Sequence, residues 1–478
     1  MSSPDHRPNL LVIIADQWRG SALGCLGQDP VVTPNLDRLA RSGRLLTEAV
    51  SSYPVCSPCR AMLLSGAYPW NNGVWLNTNS ETAPLGVGLR AELECWSDLL
   101  SDEGYELGWV GKWHLDPPDE IDAQFAEGRR DGDGDGKVWD HWTPPHRRHG
   151  FSFWYAYGAC DRHLTPHYWT SDAAQTAPTR IHEWSPKHEA DIVSGFLKDA
   201  AAPSHDRRPF GLVWSINPPH QPFDEVPAEY RPLTDSLTND ELLVRPNVPD
   251  AIRHEAAVIA RDYFAAIHGV DGQIGRVLAT LEETGQRDNT LVIFTSDHGM
   301  QLGSHGLLYK NVPYEESMRV PMIWCWPRHI PPGLDDVLMG SVDFAPTLLS
   351  MLGIRKHPAH MVGHDLSTRM TGGNDTGPDA TVYMRMAGPA DPTEVRGLRT
   401  RRSKLVVSVS PDKPPTRHLW DRSDDPYELL DIADQRPAEA SALLDKLTGL
   451  LVSQGDPVPT TTWTAPWPPG AIQQLGLG

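Results

Sequence analysis

NLLVIIADQ, residues 9–17, sets six apolar residues in a row and then stops on the carboxylate of Asp16 and the amide of Gln17. Apolar and polar residues do not alternate along it. Such a run fits a strand covered on both faces, as the strands of parallel sheets are. Residues 107–110, 210–216 and 290–295 repeat the pattern, each short and bounded by turn residues. Helical stretches lie between them. Thr33 offers an N-cap, Pro34 a first helical position and Gly43 a closing residue; residues 254–284 carry Val258, Tyr263, Ile267, Val270, Ile274, Leu278 and Leu281 at helical spacing. Strand and helix in alternation predict an α/β domain with a large central, mostly parallel sheet flanked by helices.

Beyond about residue 370 the texture changes. A Gly/Asp/Asn-rich bridge at 371–378 leads to short strand-like pieces such as 404–409, a last helix at 437–453 and a Pro/Trp tail. The expected division is a catalytic α/β domain over 1–374 and a smaller α+β domain, a small sheet with a helix, over 375–478.

In open parallel sheets ligands bind beyond the carboxyl ends of the strands. Asp16 and Gln17 follow the first run. Gly111, Lys112, Trp113 and His114 follow the second, and Asn217-Pro218-Pro219-His220 the third. Ser296-Asp297-His298-Gly299 follows the fourth, with Lys310 shortly beyond. Singly these are caps, turn residues or solvated charges; jointly they place oxygen and nitrogen ligands, two lysines and two further histidines on one rim. That pattern predicts a metal site beside an anion site.

YPVCSPCRAMLLSG, residues 53–66, adds two of the chain's six cysteines, with a helix expected to begin just after Cys56. Its N-terminus would favour an anion. Cys56, Pro58 and Arg60 form Cys-x-Pro-x-Arg, while Cys56 and Cys59 form Cys-x-x-Cys. A dithiol redox pair, half a zinc site and a single chemically converted cysteine all fit this stretch alone.

The chain has 478 residues, 39% hydrophobic and 22% charged, as in soluble globular proteins. With 42 Lys and Arg against 62 Asp and Glu its formal charge is −20, which argues against nucleic acid and acidic membranes as partners. No run near the start is long enough to span a bilayer, and the expectation is a cytoplasmic protein with reduced thiols. Asp131-Gly132-Asp133 begins like a calcium loop, but Trp142 stands where the bidentate glutamate belongs, so a surface insert is expected. Among the seventeen tryptophans, Trp75, Trp113, Trp154 and Trp169 are either pocket walls or core.

Taken together, residues 9–20, 33–43, 56–66, 111–115, 219–223, 294–310 and 314–323 resemble the formylglycine-dependent sulfatases of the alkaline phosphatase superfamily. The resemblance continues through 399–405 and 419–429. It implies an alkaline-phosphatase-like fold and cleavage of a sulfate monoester. It implies that Cys56 is oxidised to formylglycine by a formylglycine-generating enzyme, with Pro58 and Arg60 as recognition residues. One hydroxyl of the hydrated aldehyde would attack sulfur, and the other would later expel sulfate.

Asp16, Gln17, Asp297, His298 and the converted Cys56 would hold one divalent metal. Calcium is favoured, but Gln17 and His298 replace an aspartate and an asparagine common in the family, which brings manganese or magnesium into play. Lys112 and Lys310 would bind sulfuryl oxygens, Arg60 would orient the formylglycine, His114 would be a base and His220 would face the leaving group. The substrate would be a small sugar, aryl or choline-type sulfate. A phosphonate monoester or phosphodiester hydrolase of the same superfamily is the alternative, followed by a redox protein or a non-catalytic binding protein. An oligomer is compatible with all of this.

Overall fold

The computed structural model describes residues 7–126, 136–203, 208–411 and 413–458. The acidic repeat at 131–135 and the Pro/Trp tail from 459 lie outside them.

Ten strands form the main sheet: β1 (Asn9–Ala15), β2 (Arg44–Val50), β3 (Glu106–Lys112), β4 (Phe153–Tyr157), β5 (His167–Thr170), β6 (Thr179–Arg180), β7 (Phe210–Ile216), β8 (Thr290–Ser296), β9 (Met322–Cys325) and β10 (Gly333–Gly340). Their order is β10-β2-β9-β8-β1-β7-β3-β4-β5-β6. The five central strands from β8 to β4 run parallel, whereas β9 is antiparallel to both its neighbours and β5 and β6 close the far edge antiparallel. In register, Val12 sits between Val213 and Ile293.

Burial on both faces explains the lack of alternation in β1. Leu10, Val12 and Ile14 enter one core with Trp109, Trp113 and Trp154. Leu11, Ile13 and Ala15 enter the opposite core, against Tyr263, Ile267, Val270 and Ile274. Those four residues belong to the helix Asp250–Glu283, which begins four residues earlier than expected.

Five helices matter to the argument: α1 (Pro34–Ser42), α2 (Cys56–Ser65), α3 (Ser185–Ala201), α4 (Asp250–Glu283) and α5 (Pro437–Ser453). The expected cap of α1 is corrected. Thr33 accepts from Gly24 N and donates to Asp37 instead. The free amides of Asn35 and Leu36 go to the Asp271 carboxylate on α4, at 3.1 and 2.8 Å. α2 begins at Cys56 itself, and all ten of its residues are buried.

The smaller sheet has four antiparallel strands in chain order, β11 (Ala380–Arg385), β12 (Glu394–Thr400), β13 (Ser403–Ser410) and β14 (Lys413–Asp421). Leu447 and Leu451 of α5 meet Leu398, Val407 and Val409 of this sheet, in one cluster with Tyr53 and Met62 beside and within α2. Charge joins the two sheets as well: Glu315 binds Arg399 and Lys404, and Lys404 also binds Glu428. Among the described residues no helix is long and apolar enough to cross a membrane.

Candidate active site

The ends of β1, β3, β7 and β8 and the start of α2 meet at one place. Lys112 is the last residue of β3, which runs two residues past the expected end at Val110. Gly111 has φ 94°, and a Cβ there would lie 2.1 Å from the Ser215 carbonyl oxygen, so only glycine lets β3 approach β7 at this level. Gln17 and His114, just past β1 and β3, adopt left-handed backbone at φ 64° and 56°. That conformation costs a non-glycine residue about 1–2 kcal/mol.

Asp16 and Asp297 are fully buried and held by shared cations. Asp16 Oδ2 accepts from Lys112 Nζ at 2.7 Å and from Arg60 Nη2 at 3.2 Å. Asp297 Oδ2 accepts from Arg60 Nε at 2.8 Å, and its Oδ1 from the Gln17 amide at 3.1 Å. Arg60 also donates to Ser215 Oγ at 2.6 Å. Lys112 Nζ reaches Asn217 Oδ1 at 3.1 Å.

Burial opposes ionisation of Asp16, but Lys112, His220, His298 and Arg60 hold its pKa well below the usual range. Asp297 shifts upward through burial and the Asp16 charge, so the two titrate as a pair.

His298 Nδ1 lies 2.9 Å from the Gly299 carbonyl and donates to it, which directs Nε2 inward. Nε2 faces Asp16 Oδ1 at 3.3 Å and Asp297 Oδ1 at 3.6 Å. Burial and Lys310 push the imidazole pKa down, yet Asp297, the Cys56 sulfur and Asp16 hold it up at about 9. The point between these groups therefore attracts a cation. Ligand atoms of Asp16, Cys56, Asp297 and His298 all lie within 4.8 Å of one another. Beside them the Gln17 Oε1 is buried with no partner among the described residues, while its Nε2 donates to Gln221 at 3.2 Å. Two carboxylates, an orphaned amide oxygen and an inward imidazole suit a divalent ion.

Cys56 Sγ stands at the first position of α2, 3.3 Å from His298 Nε2 and 3.4 Å from Lys310 Nζ. Burial and Asp16 raise its pKa, but Lys310, Lys112 and His298 overcome them and lower it well below the ordinary thiol value. Cys59 behaves oppositely: burial and Asp297 push it up to about 12, and its sulfur faces Ser341 at 3.4 Å within the core. All six cysteines are free. One turn of helix separates a reactive sulfur from an inert one, and no dithiol pair forms.

A pocket of about 100 Å³ opens over Cys56, lined by Lys112, His114, Asp161, His220 and Lys310 among others. His114 Nε2 donates to the Thr78 carbonyl at 3.2 Å, leaving Nδ1 buried with no hydrogen-bond partner among the described residues. Burial lowers the His114 pKa to about 4, so its Nδ1 carries a free lone pair at neutral pH. His220 Nδ1 is fixed by the Gln221 carbonyl at 2.9 Å and by Asp161 at 3.4 Å. Burial and Lys310 lower its pKa, but Asp161 and Asp16 outweigh them and the net shift is upward.

The structure thus brings every residue singled out from the sequence into one cluster: Asp16, Gln17, Cys56, Arg60, Lys112, His114, His220, Asp297, His298 and Lys310. The sequence reading missed Asp161, Thr78 and Ser215. Asp161 ends the run at 153–160 that contains β4, a strand-end signal that the sequence reading did not use. Of the four tryptophans weighed as pocket walls, Trp113, Trp154 and Trp169 are core, and Trp75 packs beside Tyr53; Trp139 lines the pocket instead.

The Sulfatase family model matches residues 8–354, and that of the N-sulphoglucosamine sulphohydrolase C-terminal region matches 303–453. An endo-4-O-sulfatase of Bacteroides thetaiotaomicron is 34% identical, over 94% of this chain and 93% of its own. A Bacteroides fragilis structure named for the sulfatase yidJ superposes with a TM-score of 0.90 at 38% identity, covering 97% of this chain and 99% of that one. A B. thetaiotaomicron structure described for the metabolism of multiple glycosaminoglycans gives 0.88 at 32% identity, over 96% and 99%. Matched over most of its length by the family model and by relatives above 30% identity, the chain belongs to the sulfatases of the alkaline phosphatase superfamily and hydrolyses sulfate esters.

Proposed function

We propose that the protein removes sulfate from a sulfated sugar, with Cys56 carried as formylglycine and one divalent metal, calcium first, held by Asp16, Gln17, Asp297, His298 and the residue 56 oxygen. The observation that carries this reading is the placement of Cys56. Its sulfur sits among Asp16, His298 and Lys310, whereas Cys59 lies in the core. When bound, the metal would neutralise sulfuryl oxygens and acidify a nearby hydroxyl. Formylglycine would supply, as its hydrate, a nucleophile that can release sulfate without a second displacement.

The remaining roles follow from the side chains themselves. Lys112 and Lys310 both line the pocket over residue 56 and grip sulfuryl oxygens as cations held in place. Arg60 neutralises Asp16 and Asp297 and locks them in place. His114 takes a proton at Nδ1, because Thr78 occupies its Nε2. His220 gives a proton from Nε2 to the departing alcohol oxygen, with Asp161 and the Gln221 carbonyl fixing Nδ1.

A second pocket of about 230 Å³ shares Asn77 with the first and includes Val55 and Asn311, chain neighbours of Cys56 and Lys310. Leu76, Met386 and Pro389 give it an apolar wall, and Asn79, Lys137 and Arg385 polar contacts. That mixture suits a sugar ring, in keeping with the glycosaminoglycan setting described for a relative. The test combines peptide mapping with substrate profiling after coexpression with a formylglycine-generating enzyme. Residue 56 should lose sulfur and gain oxygen, and saccharide sulfates should be turned over faster than aryl or choline sulfates. A preference for phosphonate esters over every sulfate would overturn the substrate assignment.

A further inference from the structure

A pocket of about 460 Å³ where the two sheets meet shares no lining residue with the catalytic pocket. Four arginines line it, Arg245, Arg319, Arg401 and Arg422, against two glutamates, Glu48 and Glu315. In a chain of net charge −20 such a gathering runs against the whole surface. The arginines arrive on four separate segments: before α4, before β9, in the turn between β12 and β13, and just after β14.

The two glutamates are already engaged, by Arg399 and Lys404 outside the lining and by Arg422 within it. Glu315 binds Arg399, Lys404 and Arg422, at 2.7, 2.7 and 3.0 Å. Glu48 binds Arg399 at 2.6 Å and Arg422 at 3.0 Å. Arg245 pairs with Glu316 and lies over the Tyr427 ring. Among the described residues, Arg319 and Arg401 have only neutral hydrogen-bond acceptors. Arg319 Nη2 donates to Gln28 Oε1 at 2.6 Å. Arg401 donates from Nε to the Asp336 carbonyl at 3.1 Å and from Nη2 to that of Thr376 at 3.2 Å. Burial lowers the Arg319 pKa, and Arg245 and Arg399 lower it further against Glu315 and Glu48. Its charge is held there at a cost that an anion would relieve.

We propose that this pocket is a second anion site, which takes a tetrahedral oxyanion, sulfate or phosphate, between Arg319 and Arg401. Guanidinium planes present paired N–H groups that match such oxygens, and Arg422 and Arg245 supply the surrounding positive field. The oxyanion is either a free ion, such as the reaction's own product, or a sulfate group further along the saccharide.

Calorimetric titration of the full chain with inorganic sulfate, phosphate and a sulfated disaccharide tests this, in a chloride buffer of low ionic strength. Lys112→Ala is the background that weakens the catalytic pocket. That variant should still bind one oxyanion, and adding Arg401→Gln or Arg319→Gln should weaken that event by at least about tenfold. Arg401 lies on an exposed turn, so its variant remains informative where Arg319→Gln fails to fold. With Lys112 intact, Arg401→Gln should leave kcat on nitrophenyl sulfate unchanged. A raised KM for a sulfated oligosaccharide would identify the sulfate as part of the substrate; an unchanged KM with the binding loss intact would identify a free ion. Absence of binding by all three probes in Lys112→Ala, or binding indifferent to both arginines, would overturn the site.

Discussion

Lys112 and His220 both line the pocket over Cys56, but their partners give them different work. Lys112 is tied to Asp16 and Asn217, in the shell of the reacting group. Lys112→Ala should therefore lower kcat/KM on every sulfate ester by a similar factor, about a hundred- to a thousandfold for a lost donor in a dry site. His220→Ala should follow the leaving group, harming sugar and choline sulfates most and nitrophenyl sulfate least. Steady-state kinetics across such a series separates the two, and uniform loss for His220→Ala would remove its proton-donor role. Asp297→Ala should abolish turnover and metal retention together, because it takes one of two carboxylates from the cation-attracting point; metal analysis of the purified variant checks this. At this scale the strand-end residues were legible in the sequence, since each follows an apolar run. Asp161 was not read, although it too ends an apolar run, because its link to His220 appears only in the folded chain.

Elements are joined here by buried polar groups as much as by apolar faces. Asp271 on α4 supplies the cap that Thr33 does not give α1. Asp271→Ala should cost about 1–2 kcal/mol, read as a lower urea midpoint with an unchanged slope. Glu189 on α3 accepts from Trp214 of β7 and Tyr168 of β5, both at 2.9 Å. Burial, without a cation in contact, raises its pKa to about 8 despite those two bonds. The folded state thus keeps a proton that the unfolded chain, with an ordinary carboxylate near 4.3, releases. Stability from this group is present below that ordinary value and is lost as pH rises through about 8. Within the window the loss approaches about 1.4 kcal/mol per pH unit. Glu189→Gln keeps an oxygen for Trp214 and removes the titration, with the Tyr168 hydroxyl turning to accept from the amide nitrogen. Its melting temperature should fall less than the parent's between pH 5 and 8, and parallel curves would show that Glu189 is ionised throughout.

Across the whole molecule, the small sheet is bound to the large one through Glu315. Arg399, Arg422 and Lys404 hold that carboxylate well below the usual range, against burial. Removing one partner from such a network leaves buried cations uncompensated. Glu315→Ala should destabilise the protein by about 3–5 kcal/mol, measured by chemical denaturation. Combined with Arg399→Ala, the loss should be clearly less than additive, because the second change removes a charge that the first had stranded. The same junction reaches the surroundings of the active site, since Arg385 and Met386, from β11 and the residue after it, line the pocket beside it.

Local chemistry determined which residues form the sheet and which stand at its rim. A strand covered on both faces must be apolar without alternation, and Asp16, Asp297, His298 and Lys112 are conspicuous where such runs end. The same locality marked Cys56, Pro58 and Arg60 before any neighbour was known. Tertiary structure alone decided what depends on distant partners. It turned Cys59 into the core, seated Trp113, Trp154 and Trp169 there while Trp139 reached the pocket, and inserted β9 antiparallel between β8 and β2. It also gathered four arginines from four segments into one cavity. Residues far apart in the chain meet only through packing, and no local spacing records which of them will share a pocket.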